Sequence, residues 1–502
     1  MKYILTPEEM RLADSKAIEH YRVPSIVLME NAARSSAIFI DQIIQKLKMN
    51  KAKFTFFCGS GNNGGDGFAL ARHLFDKYEV VIYWIGDEKK MSPETQTNFH
   101  SAIKLGIPTI KLETETEVEN LDLDSDFIVD ALIGVGGSED IRGLAKTILE
   151  KLQGVAGVKI AIDCPTGLNS LTGFANEFCF RADYTITMFS YKLGLLINRG
   201  PDYSGEVLVA SLGVPNFIVK EIANTYAFDA ADIEELLPKR QRISSKFDYG
   251  RVLIIAGSER YPGAACLAAN ASIKSGAGLT ILASTSFHPA LLPEVIRLPL
   301  PATATGAISE KAYSLLREEL EKADSIAIGP GLTDNRETIS LVAQIISEFQ
   351  SKKQIVVDAD GLRAISSSLQ LTKNIVLTPH SGELSRIIGQ PREEIERSSY
   401  FIAKEWAKKL GCNIHLKYVP SVTTDGEITY LCIAGNPGLA TGGSGDVLTG
   451  IIATLLARGL EPILAASLGA YIHSLAGDCY SRKFGMETLT ASALIDFLPE
   501  VL

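Results

Sequence analysis

The sequence predicts an α/β protein of two domains, each built around a mostly parallel sheet, and three observations carry that reading. The chain has 502 residues, whereas a single hydrophobic core rarely grows beyond roughly 250, so two or three domains are expected. Short β-rich runs alternate with helical patterns in two successive series, the pattern of βαβ units. In each series a glycine-rich segment stands directly before a helical pattern.

Thr6-Pro7-Glu8-Glu9 combines an N-cap, a proline at the first helical position and first-turn acids, which predicts a helix from about Pro7 towards His20. A second helix is expected near Ser25 to Lys46. The first β series then follows: Phe54 to Cys58, Val80 to Ile85, Phe127 to Val129, Lys159 to Ile162 and Tyr184 to Met188. A polar stretch, Asp232 to Lys246, precedes the second series. Its strands are Val252 to Ala256, Thr280 to Ala283, Ser325 to Ile328, Ile355 to Val357, Ile375 to Leu377 and Asn413 to Leu416, followed by a hairpin around Asp425-Gly426. The natural cut lies between residues 215 and 240 and gives domains 1–222 and 223–502. No fixed-period repeat relates the halves, so they read as different domains rather than copies.

A hydrophobic share of 46% and a charged share of 22% are those of a soluble globular protein. The net charge of -10 and pI of about 5.4 argue against nucleic-acid backbones and acidic membrane surfaces as partners. Small anionic ligands must then be held by backbone N–H groups and a few placed cations. Seven scattered cysteines with no C-x-x-C pair read as reduced, mostly buried thiols. The N-terminus has no apolar h-region, and no apolar run approaches the roughly 18 residues of a membrane span. A cytoplasmic location is expected, and assembly into a homo-oligomer stays open.

In the first half, Phe54 to Cys58 runs into Gly59-Ser60-Gly61-Asn62-Asn63-Gly64-Gly65-Asp66-Gly67, with a helix expected from Phe68 to Asp76. Glycines there let N–H groups approach a phosphate, and Asn62, Asn63 and Asp66 add oxygens suited to a hydroxyl, an amide or a hard cation. A tight strand-to-helix turn is the plainer alternative. Asp130, Asp163 and Lys192 fall at or beyond predicted strand ends, where open α/β sheets place ligands. Singly, each is more often a cap or turn residue; together they converge on one sheet edge.

The GNNGGDG segment, Val129-Asp130-Ala131-Leu132-Ile133-Gly134, Asp163-Cys164-Pro165-Thr166-Gly167 and the Lys192 segment resemble the N-terminal domain of the bifunctional NAD(P)H-hydrate repair enzymes. The resemblance implies a Rossmann-like three-layer domain that epimerises the hydrate. It implies that Asn62, Asn63, Gly64, Gly65 and Asp66 bind the hydrate, together with Asp163 and the loop Gly134, Val135, Gly136, Gly137, Ser138, Glu139 and Asp140. Asn63, Asp130 and Thr166 would hold a potassium ion. This chain departs from the family's usual Gly-Thr-Gly-Leu-Ser-Arg-Pro in that loop. In the hydrate, C6 carries a hydroxyl beside the ring nitrogen, and epimerisation needs one proton given and one taken; a carboxylate and an ammonium, Asp163 and Lys192, could divide that work.

The strongest signal in the chain is Gly435-Asn436-Pro437-Gly438-Leu439-Ala440-Thr441-Gly442-Gly443-Ser444-Gly445-Asp446, running into a helical pattern from Val447 to Ala457. Small residues before a helix aim several N–H groups at one point, where the helix dipole adds positive potential. That suits a transferring phosphoryl group, with Asp446 placed to accept the proton of the attacking hydroxyl. A bare helix cap is the alternative role for Asp446.

This run is similar to the anion hole and base of ribokinase-like kinases and, in its Asn-Pro-Gly form, to the NAD(P)H-hydrate dehydratases of that fold. The resemblance implies a ribokinase-like three-layer domain over most of residues 245–500. Ala265, Gly331, His380 and Asp446 would face the hydrate. Lys417, Tyr418, Val419, Pro420 and Ser421 would face the adenine nucleotide, with Gly442, Gly443, Ser444 and Gly445 at its phosphates. The family's usual Lys-Gly-Ala-x-Thr is Lys417-Tyr418-Val419-Pro420-Ser421 here, and its His-Pro-Gly-Glu is His380-Ser381-Gly382-Glu383. The implied reaction phosphorylates the C6 hydroxyl from ADP or ATP with Mg²⁺, then expels phosphate. The rival readings are a small-molecule kinase fused to a dinucleotide-sensing module, and a nicotinamide dehydrogenase read from G-x-G-x-x-G. The second lacks a clear ribose-binding acid, Asp87 being its only candidate.

Overall fold

The computed structural model describes residues 1–135 and 141–502. They form two compact units, Lys2–Asn224 and Thr225–Leu502, with Met1 grouped with the second.

In the first unit seven strands pair in parallel in the order Thr109–Lys111, Glu79–Trp84, Lys53–Cys58, Phe127–Ala131, Val158–Ile162, Tyr184–Met188 and Glu206–Ala210. The order reverses between Lys53–Cys58 and Phe127–Ala131, so crossover helices cover both faces and a ligand crevice opens at the carboxyl ends of those two strands. Cover on both faces explains why these central strands are apolar nearly throughout, with Phe54, Phe56, Phe57 and Phe127 buried. A separate pair, Lys2–Leu5 with Tyr191–Lys192, sets Leu5 opposite Lys192. It leads into the helix Pro7–Ser15, capped by Thr6 and Glu9 as expected, which closes in a π-helical turn at Lys16–His20.

The glycine-rich segment differs from expectation. It is the first turns of the helix Asn62–Leu74, not a loop before it. Its glycines serve close packing: a side-chain carbon at Gly64 would stand 1.9 Å from the Gly59 carbonyl oxygen, and one at Gly67 2.6 Å from Ala131 Cβ.

The second unit repeats the doubly wound principle with other strands. Ile296–Pro299, Leu279–Ser284, Arg251–Ile255, Ser325–Ile328, Gln354–Val357, Ile375–Leu377 and Asn413–Leu416 are parallel, and the order reverses between the third and fourth. The expected hairpin follows as antiparallel Ser421–Thr424 and Thr429–Cys432. Against the sheet lie the helices Pro262–Lys274, Ser444–Ala457 and Pro462–Phe484, whose small residues allow close approach; a carbon added at Gly450 would meet the Ala268 carbonyl oxygen at 2.1 Å. Ser444–Ala457 is buried over most of its length, which fits a hydrophobic sequence with little amphipathic bias.

All seven cysteines are free thiols, five of them buried. Among the described residues no helix is long and apolar enough to cross a membrane.

Candidate active sites

In the first unit a cavity of about 770 Å³ opens at the sheet's reversal point, within the usual size of a small-molecule site. Asn62, Asn63, Asp66, Gly134, Val135, Asp163 and Lys192 all line it. The helix Asn62–Leu74 begins without a side-chain cap among the described residues, which leaves its first N–H groups without an acceptor there.

Asp163 follows Val158–Ile162 and adopts a φ of +69°, a conformation that non-glycine residues adopt at a cost and that recurs at functional sites. Its Oδ1 accepts from Lys192 Nζ at 2.5 Å, and its Oδ2 accepts from the Val135 N–H at 3.3 Å. Lys192 is fully buried and also donates to Thr187 Oγ1 at 2.7 Å and the Met188 carbonyl at 2.9 Å. Its three protons are therefore all committed. Burial pushes Asp66 well above the usual carboxylate range, the Asp163 charge adding to the rise and Lys192 opposing it.

Asp130 is completely buried. Its Oδ1 accepts from Thr166 Oγ1 at 2.7 Å and its Oδ2 from the Thr166 N–H at 2.7 Å. Burial raises its pKa to about 6 against those hydrogen bonds, and no cationic side chain pairs with it among the described residues. Thr166 Oγ1 also donates to the Ile133 carbonyl at 3.2 Å, one residue before Gly134, while a carbon at Gly134 would stand 3.2 Å from Asn63 Oδ1. Both polar atoms of the Asn63 amide are buried and lack a partner among the described residues. A buried carboxylate without a cation and an orphaned amide around one short loop are the donor chemistry a monovalent cation needs. Gly136, Gly137, Ser138, Glu139 and Asp140 lie outside the described residues.

In the second unit Gly443, at φ +88°, turns the chain into the helix Ser444–Ala457. The backbone N–H groups of Gly442, Gly443, Gly445 and Asp446 have no acceptor among the described residues. Asp446 lies in the helix's first turn and not at its cap, which is Gly443. Burial lifts the Asp446 carboxyl to about 7, the Asp358 charge adding to the rise and Lys417 opposing it. Beneath the turn, Lys417 Nζ donates to Asp358 Oδ1 at 2.7 Å, and a carbon at Gly445 would stand 3.4 Å from that ammonium. Asp358 also accepts from the Thr378 and Thr449 hydroxyls at 2.7 Å each.

Of the expected substrate-side residues, His380 is tied to Lys417 beneath this turn, while Gly331 packs on the segment that carries Ala265. His380 caps the helix Ser381–Ile388, its Nδ1 accepting from the Gly382 N–H at 3.0 Å, and its backbone bridges to Lys417. Gly331, at φ +68°, packs on Tyr261 and Ala264, next to Ala265. Lys417 to Ser421 connect two strands, with Val419 exposed.

Residues 25–194 match the family described as YjeF-related protein N-terminus, and residues 252–500 match NAD(P)H-hydrate dehydratase. The chain is 37% identical to the bifunctional NAD(P)H-hydrate repair enzyme Nnr of Moorella thermoacetica, covering 100% of this chain and 96% of that one. The chain belongs to the family of bifunctional NAD(P)H-hydrate repair enzymes. The Nnr protein of Thermofilum pendens, 35% identical, covers 98% of this chain and 95% of its own. Among solved structures, the ADP/ATP-dependent NAD(P)H-hydrate dehydratase of Bacillus subtilis, co-crystallised with ATP/Mg²⁺, aligns with 55% of this chain and 98% of its own at 29% identity and a TM-score of 0.47.

Within this family member, two residues outside the predicted sets have evident roles. Asp478 orders the Asn-Pro-Gly segment, accepting from the Gly435 N–H at 3.0 Å and from Asn436 Nδ2 at 2.7 Å. Asp14 lines the first unit's cavity. Neither carries a local sequence signal, since each sits inside a helix and meets its partners only through the fold.

Proposed function

We propose that residues 1–222 interconvert the R and S forms of hydrated NADH and NADPH at C6, and that residues 223–502 dehydrate the S form with ADP or ATP. The observation that carries the reading is two acid–base centres in separate units: Asp163 with Lys192 at a ligand-sized cavity, and Asp446 beside four free N–H groups.

In the epimerase site the hydrate lies against Asn62 to Asp66, Gly134, Val135 and Asp163. The ring nitrogen pushes hydroxide from C6, and Asp163 exchanges a proton with the oxygen that leaves or enters. Lys192 holds Asp163 in place. Asn63, Asp130 and Thr166 would hold a potassium ion, which supplies a fixed positive charge beside Asp130.

In the dehydratase site Ala265, Gly331 and His380 face the hydrate, and Lys417 to Ser421 face the nucleotide. The N–H groups of Gly442 to Gly445 stabilise the transferring phosphoryl. Asp446 takes the proton of the C6 hydroxyl as it attacks. Phosphate is then a good leaving group where hydroxide was a poor one. Mg²⁺ carried by the nucleotide would supply the charge that neutralises its phosphates.

The test is to mix both hydrate epimers of NADPH with the protein, Mg²⁺ and ADP or ATP. Recovery of reduced-nicotinamide absorbance together with phosphate release is expected from both epimers. Consumption of the S form alone removes the epimerase half, and a stable phosphoester without restored nicotinamide favours a simple kinase.

A further inference from the structure

The helix Pro7–Ser15 forms one wall of the first unit's cavity. Pro7, Met10, Arg11 and Asp14 line it, the i, i+3, i+4, i+7 stripe of one helical face, and Asp14 is the only carboxylate in that stripe. The pairing of Leu5 with Lys192 anchors this helix beside the proton-handling pair. The Asp14 carboxyl has no hydrogen-bond partner among the described residues, yet it lies within range of the Lys192 and Asp163 charges. Lys192, by contrast, is fully buried with all three protons engaged, so it cannot hand one to a substrate without breaking one of these bonds.

We propose that Asp14 is a second catalytic acid–base residue of the epimerase site, paired with Asp163 from a different wall of the same cavity. The inference rests on the epimerase reading above. In one direction the Asp14 carboxyl gives its proton to the C6 oxygen as the C6–O bond breaks, the ring nitrogen lone pair forms the C=N⁺ bond, and water departs. Water then adds to C6 from the other face, the C=N⁺ electrons return to nitrogen, and Asp163 takes the excess proton. The opposite epimer uses the two carboxylates in exchanged roles, so one proton shared between them serves both directions.

The electrostatics agree with that division. Burial raises Asp14 to about 6, with Lys192 opposing and Asp163 adding, so it carries a proton in an appreciable fraction of molecules near neutrality. Among the described residues, Asp66, Arg11 and Glu94 are the other charged groups lining the cavity. Burial pushes Asp66 well above the usual carboxylate range, with the Asp163 and Asp14 charges adding to the rise and Lys192 opposing it.

The test is Asp14→Asn in the full chain, with each purified epimer followed by NMR without nucleotide from about pH 5 to 8. Dehydration of the S epimer in the same preparations reports on folding of the other unit. Epimerisation kcat should fall on the order of 10²-fold with little change in KM, and dehydration should persist. The wild-type rate should decline as pH rises through about 6, and the variant should lose that limb. Near-normal epimerisation, or a slowed reaction that keeps the wild-type pH profile, overturns the inference. Should Asp14→Asn not fold, Asp14→Glu decides: its limb should persist but move, and an unmoved limb overturns the role. A wild-type protein that leaves both epimers untouched sinks the epimerase reading itself.

Discussion

The Lys417 ammonium and the Asp358 carboxylate meet at 2.7 Å beneath the glycine turn, with Asp358 almost wholly buried and further held by the Thr378 and Thr449 hydroxyls. Burial opposes charge on both groups. For Asp358 the Lys417 charge and the hydrogen bonds from Lys417, Thr378 and Thr449 together outweigh it and keep the carboxyl below the usual range; for Lys417 the Asp358, Glu383 and Asp446 charges and the Asp358 hydrogen bond together outweigh it and raise the ammonium. Each holds the other charged, and the pair sets the potential that Asp446 feels.

Lys417→Met should therefore strand a buried charge on Asp358. The cost expected for breaking such a pair is about 3–5 kcal/mol. Denaturant unfolding should show the second unit's transition at a lower midpoint while the first unit's is unchanged. Epimerisation should survive and dehydration should not.

Potassium should stabilise the first unit. A cation that binds only the folded state raises the unfolding midpoint with concentration, and Asn63, Asp130 and Thr166 offer an amide oxygen, a carboxylate and a hydroxyl. Thermal unfolding in potassium chloride should exceed that in lithium chloride at equal ionic strength. Thr166→Val, which removes the hydroxyl bonded to Asp130 Oδ1, should abolish the difference.

Dehydration should rise with pH through about 7, where the Asp446 carboxyl ionises. As a base it works only as carboxylate, so kcat falls as pH drops below that value. The sign for stability is opposite. A carboxyl raised from 3.8 to about 7 favours folding fully below its unfolded value, and that contribution is lost as pH climbs towards its folded value. Parallel pH series of turnover and of unfolding midpoint should thus run in opposite directions between about pH 5 and 8.

Much of this was legible in the sequence wherever local rules and fold agree. The capping box at Thr6, the strands Tyr184–Met188, Ser325–Ile328 and Asn413–Leu416, and the gathering of Asp163 and Lys192 at one sheet edge all follow from pattern and strand-end placement. The start of the helix at Asn62 did not, because Gly64, Gly65 and Gly67 lower helix propensity and the contacts requiring them, with Gly59 and Ala131, come from elsewhere. The short strands Lys2–Leu5, Tyr191–Lys192 and Thr225–Ala227 were missed for the same reason, their partners being distant in sequence. Asp14 went unnoticed with them, since nothing local says which face of Pro7–Ser15 meets Lys192. Lys417 was visible as a nucleotide-side residue, but not its pairing with Asp358.

Asp446→Asn should abolish dehydration while epimerisation continues, because the two chemistries use different units and only the second needs a base beside the free N–H groups of Gly442, Gly443 and Gly445. Asparagine keeps the shape of the side chain, and the cap of the helix is Gly443, so folding does not depend on the carboxylate. Removing a charge that burial disfavours should leave the unit at least as stable as wild type at about pH 8. The amide cannot take the hydroxyl proton as the phosphoryl group moves, and loss of a positioned base costs on the order of 10² to 10⁴ in rate. Nucleotide and hydrate should still bind, so the defect belongs in kcat more than in KM. Single-turnover measurements with excess enzyme would place the loss in the chemical step. Near-normal turnover would falsify the role of Asp446 as base, and simultaneous loss of epimerisation would contradict the separation of the two activities between units.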